Sequence, residues 1–292
     1  MVIAPSECNF GYERCKSCGV HRTVAKLGLD SESWEPNQVN HRFNWLGERV
    51  YGINSWTRLR YIKRFLKGNS GKVLDYGCGR GDLLNKFHRM GWQVFGAEYS
   101  EATSREVRKI HRDILLRSNF DHETISYYPD SNFDLVTSFH NLEHLVDPRL
   151  FIENCSRVLK RGGCFVLEVP NVDSWQSRLT GSKWIYLDPR NHTFHFTPLG
   201  LRGLLEGYHF AIERETFLAF WMGTIGMTSA LINVFRKDEN SFFHQMKEFD
   251  SYSKLILEGI LFSFVYPVGV ILELMSVFAK SGSVVRIVAV RS

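Results

Sequence analysis

The stretch between Lys72 and Asp82 combines an acid with three alternating glycines. Val73 and Leu74 begin a short apolar run, Asp75 ends it, and Tyr-Gly-Cys-Gly-Arg-Gly follows before a helical pattern that starts at Asp82. Glycines allow backbone conformations that other residues adopt only with strain. A strand, a glycine turn and a helix start together predict a site where a ligand meets bare backbone.

The residue types around this turn indicate which ligand it takes. The dinucleotide fingerprint G-x-G-x-x-G holds a pyrophosphate, whereas here the third glycine comes one place early and Asp75 precedes the turn. An acid at that place suits a ligand with a cationic end and no phosphate. Glu98 ends the next apolar run, where its carboxylate can bind both hydroxyls of a ribose. S-adenosylmethionine, which has a ribose, an ammonium and a sulfonium, fits better than NAD.

Three ordered motifs resemble those of class I S-adenosylmethionine-dependent methyltransferases, of the small-molecule type found with glycan, lipid and quinone biosynthesis. They are the glycine turn, Glu98 one βα unit later, and Asn-Phe-Asp-Leu-Val at 132–136. The resemblance implies an α/β, Rossmann-like fold with a seven-stranded, mostly parallel sheet and helices on both faces. The cofactor-binding set that it implies is Asp75, Gly77, Cys78, Gly79, Gly81, Glu98 and Asn141.

Two other functions stay open at this point. A glycine turn that binds nothing would leave a non-catalytic scaffold, which an absence of cofactor binding would reveal. An NAD-dependent sugar-modifying enzyme, either a dehydrogenase or an epimerase, would bind NAD, which Asp75 argues against.

Size and composition place the chain among folded globular proteins. Its 292 residues are 44% apolar and 23% charged, which is enough to bury a good core. The net charge of +5 is mild and dispersed; it argues against a nucleic-acid partner and is compatible with an anionic membrane surface. No signal-peptide pattern opens the sequence, and six cysteines, three of them in the presumed sheet domain, indicate reduced thiols, so we expect a cytoplasmic protein.

Cys8, Cys15, Cys18 and His21 suggest a metal site in residues 1–30. Cys-x-x-Cys-Gly is the shape of a zinc knuckle, in which a turn directs two thiolates at one ion. Relatives of the type that the chain resembles begin with two such pairs, and here only Cys8 stands where the first pair would be. The alternatives are a tetrahedral zinc site made by these four residues and a degenerate ribbon without metal.

Residues 31–70 are predicted to form a helical cap. Apolar residues recur there at helical spacing, at Trp56, Leu59, Ile62, Phe65 and Leu66. The basic residues between them are expected to form a solvated face. The helix is expected to lie across the sheet and partly cover the cofactor, with a membrane-surface helix as the alternative.

The domain that follows, 71–292, alternates apolar runs with helical patterns, which predicts βαβ units. Strands are expected at 72–75, 93–98, 133–139, 163–169, 210–216 and 283–290, with a weak one near 125–127, and helices near 82–90, 101–117 and 148–159. In such a sheet, ligands bind at the carboxyl ends of the strands.

Three histidines are candidates for a catalytic base. His144 lies in Phe-His-Asn-Leu-Glu-His after the strand at 133–139, and His192 and His195 lie in a polar-aromatic loop after the strand at 163–169. Both segments resemble stretches of small-molecule methyltransferases. In quinone-type relatives, Glu-x-x-Glu-His at the first segment is associated with a divalent metal, and here His140 replaces its first glutamate. For each histidine the alternative is a structural role within its loop.

About 65 residues are inserted before the last strand, where a hairpin would suffice. The run 217–235 has no charged residue in 19 positions, and 259–272 is a second uncharged run. The insertion 217–280 is predicted to be helical: a lid on the core, a homodimer contact, a hairpin that dips into a membrane, or a spanning pair. The expected acceptor is a small molecule, a glycan or lipid-linked intermediate methylated on oxygen, in the cytoplasm or at the cytoplasmic face of a membrane.

Overall fold

The structure is a computed structural model, which describes residues 10–25, 45–110, 115–118, 124–189, 191–235 and 252–292. The strands are β1 (Phe10–Arg14), β2 (His21–Ala25), β3 (Lys72–Tyr76), β4 (Gln93–Glu98), β5 (Leu115–Ser118), β6 (Phe133–Phe139), β7 (Leu159–Pro170), β8 (Phe194–His195), β9 (Phe210–Thr216) and β10 (Val284–Arg291). The α-helices are α1 (Trp45–Ile62), α2 (Asp82–His88), α3 (Glu101–Ile110), α4 (Pro148–Val158), α5 (Trp175–Thr180), α6 (Pro198–Glu206), α7 (Phe220–Phe235) and α8 (Tyr252–Phe278).

The described residues divide into two compact units, each discontinuous in sequence. The sheet unit comprises described residues within 51–169, 199–215 and 286–292. The hairpin unit comprises described residues within 1–50, 170–198 and 216–285. The predicted division into 1–30, 31–70 and 71–292 stays a prediction.

The seven-stranded sheet runs in the order β5-β4-β3-β6-β7-β10-β9, which confirms the predicted Rossmann-like fold. β3 lies between β4 and β6 and pairs in parallel with both, and β4–β5 and β6–β7 are also parallel. The chain therefore reverses direction across the sheet between β3 and β6. In open α/β sheets this switch point opens a crevice at the carboxyl ends of the two strands, where ligands bind.

Local sequence explains why these elements form. In β3, Val73 and Leu74 are fully buried, as expected for a strand covered on both faces. Helix α4 begins with Pro148, and the carboxylate of Asp147 accepts hydrogen bonds from the next two backbone N–H groups, both at 3.0 Å. Such an N-cap satisfies donors that the first helical turn leaves without partners.

Two sequence predictions for the sheet unit were wrong. The strand near 125–127 is a 3₁₀ turn at Thr124–Tyr127, and the strand β5 lies at Leu115–Ser118, within the segment predicted to be helical. Three apolar residues in a row, Ile-Leu-Leu at 114–116, carry no period that separates a helix from a strand.

The helix α1 also departs from its predicted pattern. Ile62 is fully buried and Leu59, Phe65 and Leu66 pack against the same core, but Trp56 is 52% exposed. Arg58, predicted to lie on a solvated face, has a side chain only 12% exposed, because a buried carboxylate binds it.

The hairpin unit contains the three-stranded sheet β1-β2-β8 and the helices α5, α7 and α8. The described parts of the insertion are mainly helical, as predicted: α7 and α8, which follow β9 and precede β10 in the sequence, pack against each other. Among the described residues, Ile256–Phe278 of α8 is the one segment long and apolar enough to cross a membrane, with a mean hydropathy of 2.0.

Candidate cofactor and active site

The glycine turn after β3 adopts the backbone conformation that its sequence predicts. Gly77, Gly79 and Gly81 all have positive φ values, of 77°, 53° and 75°. Residues with a Cβ rarely adopt this region, so three such values in five residues explain the spacing of the motif. The N–H groups of Gly77 and Cys78 both donate to the carbonyl of Ala97 in β4, at 2.9 and 3.0 Å, and fix the turn to the neighbouring strand.

Glu98 lies at the carboxyl end of β4 and faces the same turn. One carboxylate oxygen accepts the N–H of Gly79 at 2.8 Å, and the other accepts the N–H of Ser100 at 2.9 Å. Burial raises the pKa of Glu98, whereas these two backbone hydrogen bonds lower it. A carboxylate has about four acceptor positions, so two are left for the hydroxyls of a ribose.

Asp75 ends β3 and is buried, and its carboxylate accepts a hydrogen bond from the hydroxyl of Thr137 on β6, at 2.6 Å. Burial raises the pKa of Asp75 to about 6, although the Thr137 hydrogen bond and the charge of Arg58 lower it. A bound cation would favour the ionised form of such a carboxyl group.

Asn141 follows β6 and lies against the turn. A Cβ on Gly77 would come within 3.0 Å of the Asn141 side chain, so this close approach requires glycine. The side chain of Asn141 is buried, and its Nδ2 has no hydrogen-bond partner among the described residues. A buried amide donor without a partner is costly, and a bound carboxylate is the kind of acceptor that would satisfy it.

An ionic cluster that sequence analysis missed lies at the carboxyl ends of β6 and β7. The carboxylate of Glu168 accepts from Arg58 at 2.8 Å and from Nε of Arg286 at 2.6 Å, and His140 Nε2 lies 3.1 Å from it. The other nitrogen of His140 lies 3.5 Å from Glu143. We call these five residues the Glu168 cluster.

Two members of this cluster, Glu168 and His140, are held in the ionised form by their neighbours. Burial opposes ionisation of Glu168, but the two arginines and His140 bring its pKa well below its usual range. Burial alone would lower the pKa of His140, but its hydrogen bonds with Glu143 and Glu168 raise it to about 9. Arg58 also stacks on Phe139, with its guanidinium carbon 4.1 Å from the ring centroid.

The cluster positions the turn that carries Asn141. His140 has a φ of 52°, in the left-handed region that non-glycine residues rarely occupy. Its N–H donates to the carbonyl of Glu168 at 2.9 Å, and its ring binds the Glu168 carboxylate. Contacts of its backbone and of its side chain thus keep His140 in this strained conformation. The chain bends here from β6 into the 3₁₀ turn Leu142–His144.

The three predicted catalytic histidines fall in different units. His144 belongs to the sheet unit, is exposed, and donates its N–H to the carbonyl of Asn141 at 3.0 Å. His192 and His195 belong to the hairpin unit and are buried, with ring centroids 6.1 Å apart. Their catalytic roles stay predictions.

Hydrogen bonds define the protons on the two buried rings. Nδ1 of His192 lies 2.8 Å from the carbonyl of Tyr186, so Nδ1 carries a proton. The hydroxyl of Thr23 donates its one proton to the carbonyl of His192, so Nε2 of His195, 3.0 Å from that hydroxyl, must be a donor too. These bonds fix both rings within the hairpin unit.

The predicted zinc ligands are partly described. Cys15 and Cys18 lie in the turn between β1 and β2, and the carbonyl of Cys15 accepts the N–H of Gly19 at 3.0 Å. A hydrogen bond with Ser17 is the main reason that the pKa of Cys15 is lowered to about 6. The described residues do not bring Cys15, Cys18 and His21 together as a three-ligand group. Cys8 lies outside the described residues, and the zinc site stays a prediction.

Comparison with known proteins decides the family. The model of the methyltransferase-23 type, described as a methyltransferase domain, matches residues 53–215, which is more than half of the chain. The chain belongs to this methyltransferase family. The identification excludes the NAD-dependent alternative, and the methyltransferase is an enzyme that uses S-adenosylmethionine.

Relatives and solved structures agree with the assignment. The methyltransferase is 30% identical to a ubiquinone biosynthesis O-methyltransferase of Rhodopseudomonas palustris, over 68% of this chain and 83% of that relative. It is 33% identical to an S-adenosylmethionine-dependent methyltransferase of Mycolicibacterium smegmatis over 55% of this chain, and spans 61% of that relative's length. A solved sarcosine dimethylglycine methyltransferase from Galdieria sulphuraria shares the fold, with a TM-score of 0.56 at 14% identity over 85% of this chain and 88% of that chain.

The residues of the sheet unit fit this cofactor. Asn141 offers a buried donor without a described partner, Gly77 leaves the space that a Cβ would fill, and Glu98 keeps acceptor positions for a ribose. Asp75 offers a buried carboxyl group at the end of β3. The set predicted from the sequence is therefore gathered around one turn, although the contacts of each residue with the cofactor stay predictions.

Proposed function

We propose that the methyltransferase transfers a methyl group to an oxygen atom of a small-molecule acceptor with a lipid or lipid-linked glycan part. The observation that carries the choice of oxygen is the similarity to the Rhodopseudomonas relative, named an O-methyltransferase, of which this chain covers 83%. The open apolar face of α8 in the hairpin unit supports an acceptor with an apolar part.

The binding residues have separate roles in this proposal. Asp75 balances the ammonium group of the cofactor, Asn141 donates to its carboxylate, and Glu98 accepts from its ribose hydroxyls. S-adenosylmethionine supplies a methyl group on a sulfonium, so the protein mainly has to align an acceptor. The Glu168 cluster fixes the turn that carries Asn141 and therefore acts through positioning.

His144 is the residue that we propose as the base. It lies three residues after Asn141, at the carboxyl end of β6 where this fold binds ligands, and its side chain is exposed. As the acceptor oxygen bonds to the methyl carbon and the carbon–sulfur bond breaks, the hydroxyl proton passes to the imidazole. Histidine is the side chain that most often serves as a general base in enzymes.

Two matched acceptors test the proposal. Purified protein is incubated with S-adenosylmethionine carrying a deuterated methyl group and a phenol bearing a farnesyl chain, or the same phenol without the chain. We expect a labelled methyl ether, and a kcat/KM at least about tenfold higher with the chain, because the chain contributes apolar binding. Equal values would contradict the lipid-like acceptor.

The same assay tests the acceptor atom and the base. A product labelled on carbon or nitrogen would contradict O-methylation. His144→Gln should lower kcat by about 10²–10⁴-fold without changing the affinity for S-adenosylhomocysteine, since general-base catalysis is worth that much. An unchanged kcat would remove His144 from this role.

A further inference from the structure

We propose that the open face of α8 binds the surface of a lipid bilayer and lies in its outer hydrocarbon layer. Nine large apolar side chains on this helix are exposed: Ile256, Leu257, Ile260, Phe264, Val268, Ile271, Leu274, Met275 and Phe278. Phe264 and Phe278 are 85% and 87% exposed. We call this set the α8 face. A large exposed apolar surface of this kind marks a site that binds a membrane or another protein.

The polarity of the helix pair α7–α8 is inverted relative to a helix pair in water. Two charged side chains of α8, Glu258 and Glu273, are buried, while the exposed positions described from Ile256 onwards are mostly apolar. The same holds for the polar residues of α7, which are buried: Thr224, Thr228, Ser229 and Asn233. A helix that meets water places its apolar stripe inside and its polar residues outside. This pair does the reverse, as helices in lipid do.

Three of the buried hydroxyl groups are satisfied inside the pair. Thr224 and Thr228 donate to backbone carbonyls one turn earlier, at 2.7 and 2.8 Å, and Ser276 donates to the carbonyl of Glu273 at 2.7 Å. Their hydrogen bonds therefore need no water, which is a requirement for a helix in hydrocarbon.

Small residues let the two helices approach closely. Gly269 of α8 lies against Thr228 of α7, and Gly223 of α7 lies against the Glu273 side chain, with no space for a Cβ at either glycine. Such contacts are typical of helix pairs in membranes, where packing replaces the hydrophobic effect. The face is thus presented by a tightly packed element.

Contacts within the hairpin unit favour a helix that lies on the bilayer over a pair that crosses it. One side of α7 is covered by a polar segment: Gln176 of α5 donates to the carbonyl of Gly223 at 2.8 Å, and Tyr186 donates to that of Met222 at 2.7 Å. Arg178 of α5 is exposed. Lipid around both helices would have to contact this segment, whereas lipid beneath α8 alone does not.

The distribution of charge also fits a lipid surface. No charged side chain interrupts the exposed positions from Gly259 to Phe278, and Lys280, directly after the helix, is exposed. A cation at the edge of an apolar face can reach the phosphate of a lipid headgroup while the face lies deeper. A bilayer offers both the apolar layer and the anionic border.

Vesicle flotation tests this proposal without cofactor or acceptor, so its outcome does not depend on whether the protein transfers a methyl group. Purified protein is mixed with vesicles of phosphatidylcholine and phosphatidylglycerol and centrifuged through a density gradient. We expect the protein to float with the vesicles. The double variant Ile260→Glu/Ile271→Glu should lower the partition coefficient at least about tenfold, because two charges would enter hydrocarbon.

A matched control separates this effect from added charge in general. Leu199 of α6 is as exposed as Ile271, at 59% each, and lies outside the α8 face, so Leu199→Glu should float like the unchanged protein. Circular dichroism checks that all variants are folded, and Phe264→Glu serves if the double variant is not.

Three results would overturn the proposal. The folded protein stays at the bottom of the gradient, or the α8 variants float as well as Leu199→Glu. In the third, light scattering shows a stable dimer that does not float, and the double variant Ile260→Glu/Ile271→Glu is a monomer. That result would assign the α8 face to a second copy of the chain.

Discussion

Two fully buried glutamates, one in each unit, have hydrogen-bond partners of contrasting charge. Glu168 in the sheet unit binds two arginines and an imidazole, whereas Glu273 in the hairpin unit accepts from neutral groups. The donors described around the Glu273 carboxylate are the amide of Gln176 at 2.9 Å, the hydroxyl of Ser283 at 3.0 Å and the N–H of Ser283 at 3.2 Å. Both carboxylates are enclosed, but only Glu168 is part of an ion network.

The difference shows what each network does. Paired charges give strong, directional contacts, which suit a site where the backbone at His140 is held in an unfavourable conformation. A carboxylate among hydroxyl and amide donors joins helices without placing further charges in an apolar region. The sheet unit therefore uses charge for positioning, and the hairpin unit uses neutral hydrogen bonds for cohesion.

Breaking the charged network should have the largest effect. Glu168→Gln leaves Arg58 and Arg286 buried without a countercharge, and we expect a loss of about 3–5 kcal/mol in the free energy of unfolding. Urea denaturation measures it. Glu101→Gln, which breaks the exposed pair with Arg105, is the control and should cost less than about 0.5 kcal/mol. Similar losses for both variants would contradict the comparison.

The pH dependence of stability should identify His140 in the same network. Because folding raises the pKa of His140 from 6.5 to about 9, its contribution is fully present below pH 6.5 and is lost as the pH rises through 9. We expect a decline of up to about 3 kcal/mol over this range. His140→Asn, which tolerates the positive φ, should flatten that decline. An unchanged decline in this variant would show that another group titrates.

Glu98 extends the comparison to a carboxylate that serves a ligand. Glu98→Ala should weaken the binding of S-adenosylhomocysteine by about 10–100-fold, since hydrogen bonds to a charged group contribute about 1.5–3 kcal/mol. Titration calorimetry measures the affinity, and Glu101→Ala on the exposed side of α3 is the control. Unchanged affinity in Glu98→Ala would remove Glu98 from the ribose role.

The smallest effect is expected at the neutral network. Glu273→Gln keeps the shape of the side chain and one acceptor oxygen, so we expect a loss of about 1–2 kcal/mol in unfolding free energy, less than for Glu168→Gln. Urea denaturation of the two variants side by side decides the order. A larger loss at Glu273 would mean that its charge is needed.

The local parts of the site were predictable from sequence because they depend on the spacing of residues that are near each other in the chain. The glycine turn, Asp75 and Glu98 lie at the ends of apolar runs, and the alternation of strands and helices gives the sheet. The Glu168 cluster was not predictable, since its members come from distant points of the chain and only folding brings them together. The sequence offered two signals of this cluster. One is Glu168 near the end of an apolar strand, and the other is Arg286 inside the last strand.

Other features depend on contacts that no local pattern contains. A basic residue in a helix such as Arg58 is usually solvated, and only the position of Glu168 shows that it is buried. The apolar composition of the insertion predicted helices, but not that the polar residues of α7 would face inwards. The outward direction of the apolar residues depends on how α7 and α8 pack.

Gln176 gives the hairpin unit a mechanical property. From α5 its amide nitrogen donates both to the carbonyl of Gly223 in α7 and to the carboxylate of Glu273 in α8. The side chain of Gln176 thus connects three helices, and Glu273 in turn accepts hydrogen bonds from Ser283, which follows α8 in the same unit. A lateral force on α8 is therefore shared by α5 and α7, and the stiffness of the three helices together, rather than that of one helix, resists it.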